Sequence, residues 1–168
     1  HFDMLQVPPP EELESDFDRW TRLAQEHPGK IDPPILHPIE RKAVQPRDYL
    51  NPQPQEPQQQ IWFRATGDLG DDLCRHQTVL AFMSDFGLLG TALLPHPHTG
   101  MEKGLQSASL DHALWFHHPF RADEHLLYVL DSPVAAAGRG FSRGSFYTRE
   151  GLLVASTAQE CLLRLHTS

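Results

Sequence analysis

The chain has 168 residues, a formal net charge of -8 and 39% hydrophobic residues, which suits one modest domain carrying an appendage. An acidic balance with no basic stripe excludes general nucleic-acid binding. No apolar run approaches the roughly 18 residues of a transmembrane helix, and no basic-then-apolar signal peptide is expected.

Eleven of the fifteen prolines precede residue 58, most of them in VPPPEELES, DPPILHPIE and YLNPQPQEPQQQ. Each removes a backbone donor and fixes φ, so these stretches sustain no long packed element. Between them EELESDFDRWTRLAQEHPG predicts one helix: acids crowd its first turn, the apolar spacing is helical, and Pro28 with Gly29 stops it. Residues 1–57 therefore read as a Pro-rich connector bearing one helix, and residues 58–168 as the domain.

From Ile61, IWFRATGDL predicts a short strand. Asp71 and Asp72 suit a helix N-terminus, and LCRHQTVLAFMSDFGLLG predicts one helix of about five turns. After the turn-rich LPHPHTGMEKG come four strand-like runs: LQSASLDHALWFHH, EHLLYVLDSPVAAA, RGFSRGSFYTRE and GLLVASTAQECLLRL. Turn signals at Pro119, Gly138–Gly140 and Glu150–Gly151 separate them. The order predicts an α+β fold with one long helix packed on an antiparallel sheet. Cys74 and Cys161 lie far apart and are expected to be reduced thiols in a cytoplasmic setting.

Several chemical signals are weak. The eleven histidines form no HExxH or comparable spacing, so no metal or cofactor is expected. GFSRG, from Gly140 to Gly144, has the letters of the GxSxG serine elbow, but its flanks read as strand on both sides, where the elbow needs a strand-to-helix turn. Arg139, Arg143 and Arg149 are given no role. Three polar residues pass a stricter filter. Asp85 has Ala81, Phe82, Leu88 and Leu89 as helical neighbours; it is either an exposed polar end of the helix or a functional acid whose burial would raise its pKa. Gln159 shares a strand face with Leu153, Ala155, Thr157, Cys161 and Leu163, the face expected to meet the helix. Ser109 shares one with Ser107, Asp111, Ala113 and Trp115. An acid, a hydroxyl and an amide between one helix and its sheet can hold and polarise a water molecule.

The runs LAFMSDFGLLGTALLPH and SASLDHALWFHHPFRADEHLLYVLDSPVAAAGRGFSRGSFYTREGLLVASTAQE resemble the C-terminal half of the type II acyl-CoA thioesterases, over residues 58–165. VPPPEEL is similar to the link between that family's two halves. The resemblance implies a hotdog fold, a long helix wrapped by an antiparallel sheet, and hydrolysis of acyl-CoA to free fatty acid and CoA. The family's acid, hydroxyl and amide fall on Asp85, Ser109 and Gln159. A backbone N–H among Phe86–Leu88 is the candidate oxyanion donor. No His base can be assigned to Ser109, which argues against covalent catalysis.

Family members carry two hotdogs and this chain carries the second with the connector. That predicts a homodimer or a separate N-terminal hotdog chain, whether the chain is a fragment or a short form starting at Met4. Two alternatives stand beside the thioesterase. One is a non-catalytic acyl-CoA-binding or assembly half. The other is a hotdog hydratase or dehydratase, which the absence of a GDxNPxH-like run after Asp85 disfavours. The C-terminal LHTS is not an SKL-type signal, although relatives in the family are peroxisomal.

Overall fold

The computed structural model describes residues 3–99 and 104–165; residues 100–103, in the turn-rich connector, and the C-terminal 166–168 lie outside the described residues. The first helix, α1 (Asp16–Glu26), starts later than the sequence suggests. Pro10–Glu12 forms a separate 3-10 turn, and Ser15 caps α1 by accepting the Asp18 N–H at 3.1 Å.

The Pro-rich stretch also contains an unanticipated strand, β1 (Ile39–Ala43), antiparallel to β2 (Gln58–Ala65). IERKA is too short and too polar to signal a strand by itself; pairing with Ile61–Ala65 creates it. The predicted five-turn helix is broken into α2 (Leu73–Ser84) and α3 (Leu88–Leu93). Asp72 caps α2 by accepting the Cys74 N–H. Phe86 N–H turns back to the Met83 carbonyl at 3.1 Å, and Gly87 then adopts φ +96°, a region open to glycine and costly for other residues. Thr91 restarts the helix by donating both its N–H and its hydroxyl to the Gly87 carbonyl, each at 2.8 Å.

The remaining strands are β3 (Leu105–Ser109), β4 (Ala113–Phe116), β5 (Leu126–Ala136), β6 (Arg139–Tyr147) and β7 (Leu153–Leu165). One antiparallel sheet results, in the order β1-β2-β5-β6-β7-β3, with β4 beside β3 on the same edge of β7. Alternation along the central strands feeds two cores. Ile61, Phe63, Leu126, Tyr128, Leu130 and Phe146 meet Leu80, Met83 and Leu88 of the helices on one face. Trp62, Leu127 and Tyr147 meet Met4, Val7 and Leu13 of the N-terminal segment on the other. Trp62 donates its indole N–H to the Pro8 carbonyl at 3.0 Å, which pins that segment across the sheet. Each fully buried Leu or Phe in these cores contributes about 1.5–3 kcal/mol.

Of three register shifts in the sheet, one lies between Asp131 and Val134 of β5, and the other two overturn the expected side-chain faces. Ser109 pairs with Cys161 and Ala113 with Ala158, so Leu110, Asp111 and His112 stand opposite only Gln159 and Glu160. The Asp111 carboxylate accepts the Glu160 N–H at 2.7 Å where a ladder carbonyl would otherwise stand. Beyond the bulge the parity reverses: Leu114 packs on the helix-side core and Trp115 is exposed, against the expectation that Ala113 and Trp115 share the Ser109 face. A second bulge pairs Phe146 with Ala155 but Tyr147 with Leu153. It sends Leu153 to the outer core, away from the face it was expected to share with Gln159.

The glycines of GRGFSRG are close-approach positions in β6. A Cβ on Gly140 would sit 2.6 Å from that of Ala92 on α3. One on Gly144 would overlap the Tyr128 ring and stand 2.7 Å from the Thr157 hydroxyl. Gly144→Ala is therefore expected to destabilise the fold by about 3 kcal/mol, the upper end of overpacking costs, as measured by urea unfolding.

Candidate active site

Asp85 caps the end of α2 in the turn that separates the two helices. Its position follows from the residue before it. The Tyr128 hydroxyl, on β5, donates to the Ser84 carbonyl at 2.9 Å and meets Thr157 Oγ1 of β7 at 2.7 Å. With the phenol proton given to Ser84, Thr157 is the donor in the second bond. Burial raises the Tyr128 pKa well above the usual phenol range, with the nearby Asp85 charge adding to the effect, so the phenol stays protonated. The Tyr128 ring stacks on Phe146 at 3.8 Å between centroids, in the space that Gly144 leaves open.

Asp85, Ser109 and Gln159 come together. Ser109, the last residue of β3, donates its hydroxyl to Asp85 Oδ1 at 3.4 Å. Gln159, on β7, donates Nε2–H to Ser109 Oγ at 2.8 Å. Gln159 is buried, as its strand face predicts, whereas Asp85 and Ser109 are exposed in the isolated chain. Of the two readings left open for Asp85, the geometry combines parts of both: it is an exposed acid at a helix end, held in a hydrogen-bonded set. The N–H of Phe86 is engaged by Met83, which narrows the backbone donors beside Asp85 to Gly87 and Leu88, at the start of α3.

One neighbour was not anticipated. His112 Nδ1 lies 2.7 Å from Gln159 Oε1, and its Nε2 lies 2.8 Å from the Ser84 hydroxyl. Reading LQSASLDHALWFHH as an unbroken strand puts His112 on the face opposite Ser109; the bulge at Leu110–His112 reverses that. The sequence signal was Asp111, a residue depleted in strand interiors.

The set-aside signals have structural uses. Ser142 is buried and donates its hydroxyl to the Leu88 carbonyl at 2.8 Å, tying β6 to the first residue of α3. Arg139, Arg143 and Arg149 pair with Glu160, Asp131 and Glu11 respectively. His76 accepts the Ala122 N–H at Nδ1 and bonds the Gly70 carbonyl through Nε2, closing the loop ahead of α2. Cys74 and Cys161 are both free thiols. Burial raises the pKa of Cys161. Among the described residues no helix is long and apolar enough to cross a membrane. A cavity of about 420 Å³ lies beyond Phe86, walled by Trp20, Leu36, His37 and Arg41.

The model of the acyl-CoA thioesterase family matches residues 27–162. Human acyl-coenzyme A thioesterase 8 is 40% identical over 173 residues, which cover 98% of this chain and 54% of that protein. Acyl-CoA thioesterase 2 of Haemophilus influenzae is 31% identical, over 96% of this chain and 57% of that protein. The chain thus spans about half the length of the curated relatives it matches. Among solved structures, the acyl-CoA thioesterase II TesB2 of Mycobacterium marinum superposes with a TM-score of 0.74 at 39% identity, covering 99% of this chain and 57% of that one. A protein of Alicyclobacillus acidocaldarius described as having a hot dog fold superposes with a TM-score of 0.67 at 16% identity, a likeness of fold alone. The helix-on-sheet architecture is thus the hotdog fold implied by the sequence resemblance.

Ser142→Ala removes the hydroxyl that satisfies Leu88 and is expected to cost about 1–2 kcal/mol in denaturant unfolding, the signature of a structural serine.

Proposed function

Because the chain belongs to the acyl-CoA thioesterase family, we propose that it forms the hydrolytic half of an enzyme converting acyl-CoA and water to a free fatty acid and CoA. The observation that carries this reading is the run of donors ending on Asp85: Gln159 donates a hydrogen bond to Ser109, and Ser109 donates one to the carboxylate. A carboxylate held this way keeps a second oxygen, Oδ2, for a water molecule. Asp85 takes a proton from that water as its oxygen attacks the thioester carbonyl carbon. The carbonyl oxygen becomes an oxyanion facing the N–H groups of Gly87 and Leu88. Collapse of the tetrahedral intermediate breaks the carbon–sulfur bond, and the departing thiolate of CoA recovers the proton from Asp85. Ser109 and Gln159 orient the acid and its water; neither forms a covalent bond.

The exposure of Asp85 and Ser109 supports a second hotdog over the site, since general-base chemistry gains from exclusion of bulk water. Among the described strands, β3 and β4 pair only with β7, and this open edge carries the exposed Leu110, Trp115 and Phe116. Either a second copy or a separate N-terminal hotdog would cover it. A non-catalytic assembly half is the second reading, favoured by the same open site. The free thiols fit a reducing, cytoplasmic-type compartment.

Thiol release from acyl-CoAs of several chain lengths tests the reaction. The wild type is expected to hydrolyse them, and Asp85→Asn to reduce turnover about 100-fold or more, the usual worth of a general base. A folded wild type releasing no thiol would sink the enzymatic reading; full activity in the variant would sink the assignment of Asp85. Light scattering on the isolated chain is expected to return twice its 19.0 kDa mass, and the mass of one subunit would contradict self-association.

A further inference from the structure

We propose that His112 is a positioning residue for the reaction assigned above to Asp85: it sets the direction in which the buried Gln159 amide points, and through it the hydroxyl of Ser109. This inference rests on the thioesterase reading for its consequence in turnover, and on hydrogen-bond chemistry for its geometry.

The direction follows from counting protons. Gln159 Oε1 has none, so the 2.7 Å contact with His112 Nδ1 requires a proton on Nδ1. His112 Nε2 then has two allowed states. Bare, it accepts from the Ser84 hydroxyl at 2.8 Å. Protonated, it donates to Ser84, whose hydroxyl turns to the Ala81 carbonyl, also at 2.8 Å. Nδ1 donates in both. With Oε1 so occupied, Nε2 of the amide must face Ser109, and Ser109, accepting there, is free to donate to Asp85.

Rotating the amide by half a turn would place Oε1 at Ser109. The serine would then donate to Gln159 and turn an oxygen lone pair towards Asp85 Oδ1 across 3.4 Å. With its proton on Nδ1, His112 blocks that state by offering a donor where the rotated amide would offer one too; only a neutral ring protonated at Nε2 and donating to Ser84 would admit it. It is also a strut, joining β7, which carries Gln159, to Ser84, which carries the peptide of Asp85. The bulge held by Asp111 and the Glu160 N–H brings His112 to this position.

Asparagine and glutamine separate the two ring nitrogens, because the asparagine amide nitrogen falls near Nδ1 and that of glutamine near Nε2. In acyl-CoA hydrolysis, His112→Ala and His112→Gln are expected to lose about tenfold or more in kcat with KM changed less than about threefold, a loss of alignment at the reacting centre. His112→Asn is expected to stay within about threefold of the wild type. The proposal is overturned if His112→Ala keeps wild-type kcat, or if His112→Asn falls as far as His112→Ala. Nitrogen-15 spectra of the His112 ring in the wild type give a readout independent of turnover. A proton on Nδ1, as the neutral Nδ1–H form or the imidazolium, is expected; a neutral ring protonated only at Nε2 overturns the proposal. If the wild type releases no thiol, the thioesterase reading fails while the ring spectra still decide whether His112 orients Gln159.

Discussion

The left-handed backbone of Gly87 is the constraint on which the site depends. A continuous helix through residues 73–93 would spend the N–H groups after Asp85 on its own carbonyls. With φ at +96° the chain turns, α2 ends on Asp85, and α3 opens beside it with its first donors uncommitted to a preceding turn. The same turn brings Leu88 to β6, where Ser142 takes its carbonyl, and Thr91 to Gln59 of β2 at 2.9 Å. Glycine at 87 and close-approach glycine at 140 are thus two parts of one packing solution, the first bending the helix and the second letting α3 approach the sheet.

Around that turn the polar groups obey a single direction of donation. His112 Nδ1 meets Gln159 Oε1, the Gln159 amide donates to Ser109, and Ser109 donates to Asp85, so the groups form one connected run that ends on the carboxylate. Tyr128 supplies a second, buried anchor, held protonated by its surroundings and fixed to the peptide that precedes Asp85. The anchored side of the site is dry and the reactive side open. That asymmetry suits a pocket finished by another surface, which must bring its own water exclusion.

The Pro-rich stretch is more than a link. Residues of the first fifteen cover the outer face of the sheet, and β1 completes its edge. Because both faces are covered at Ile61–Phe63 of β2 and Leu126–Leu130 of β5, these segments read as unbroken apolar runs, with no alternation of polar and apolar residues. Proline suits this role: it is extended and already restricted, so holding Pro8 against the Trp62 indole N–H while Met4, Val7 and Leu13 pack on the sheet costs little additional backbone entropy.

Local chemistry alone determined much of this protein. The capping residue Asp72, the strand runs of β5 to β7, and the α+β order are written in neighbouring residues, because propensity and period act over a few positions. Asp85 and Gln159 could be singled out because each sits among apolar neighbours; Ser109, on a mixed face, stood out mainly through the family resemblance. Everything that depended on a partner distant in sequence was decided by tertiary structure. IERKA becomes a strand only against Ile61–Ala65, and GFSRG becomes a place for Tyr128 and Ala92 to approach. His112 joins the site only because an extra residue in one strand reverses its parity. Asp111 is a weak local mark of that bulge, which moves every following side chain to the other face; the energy that selects it lies in the pairing with β7, which no local window of sequence contains.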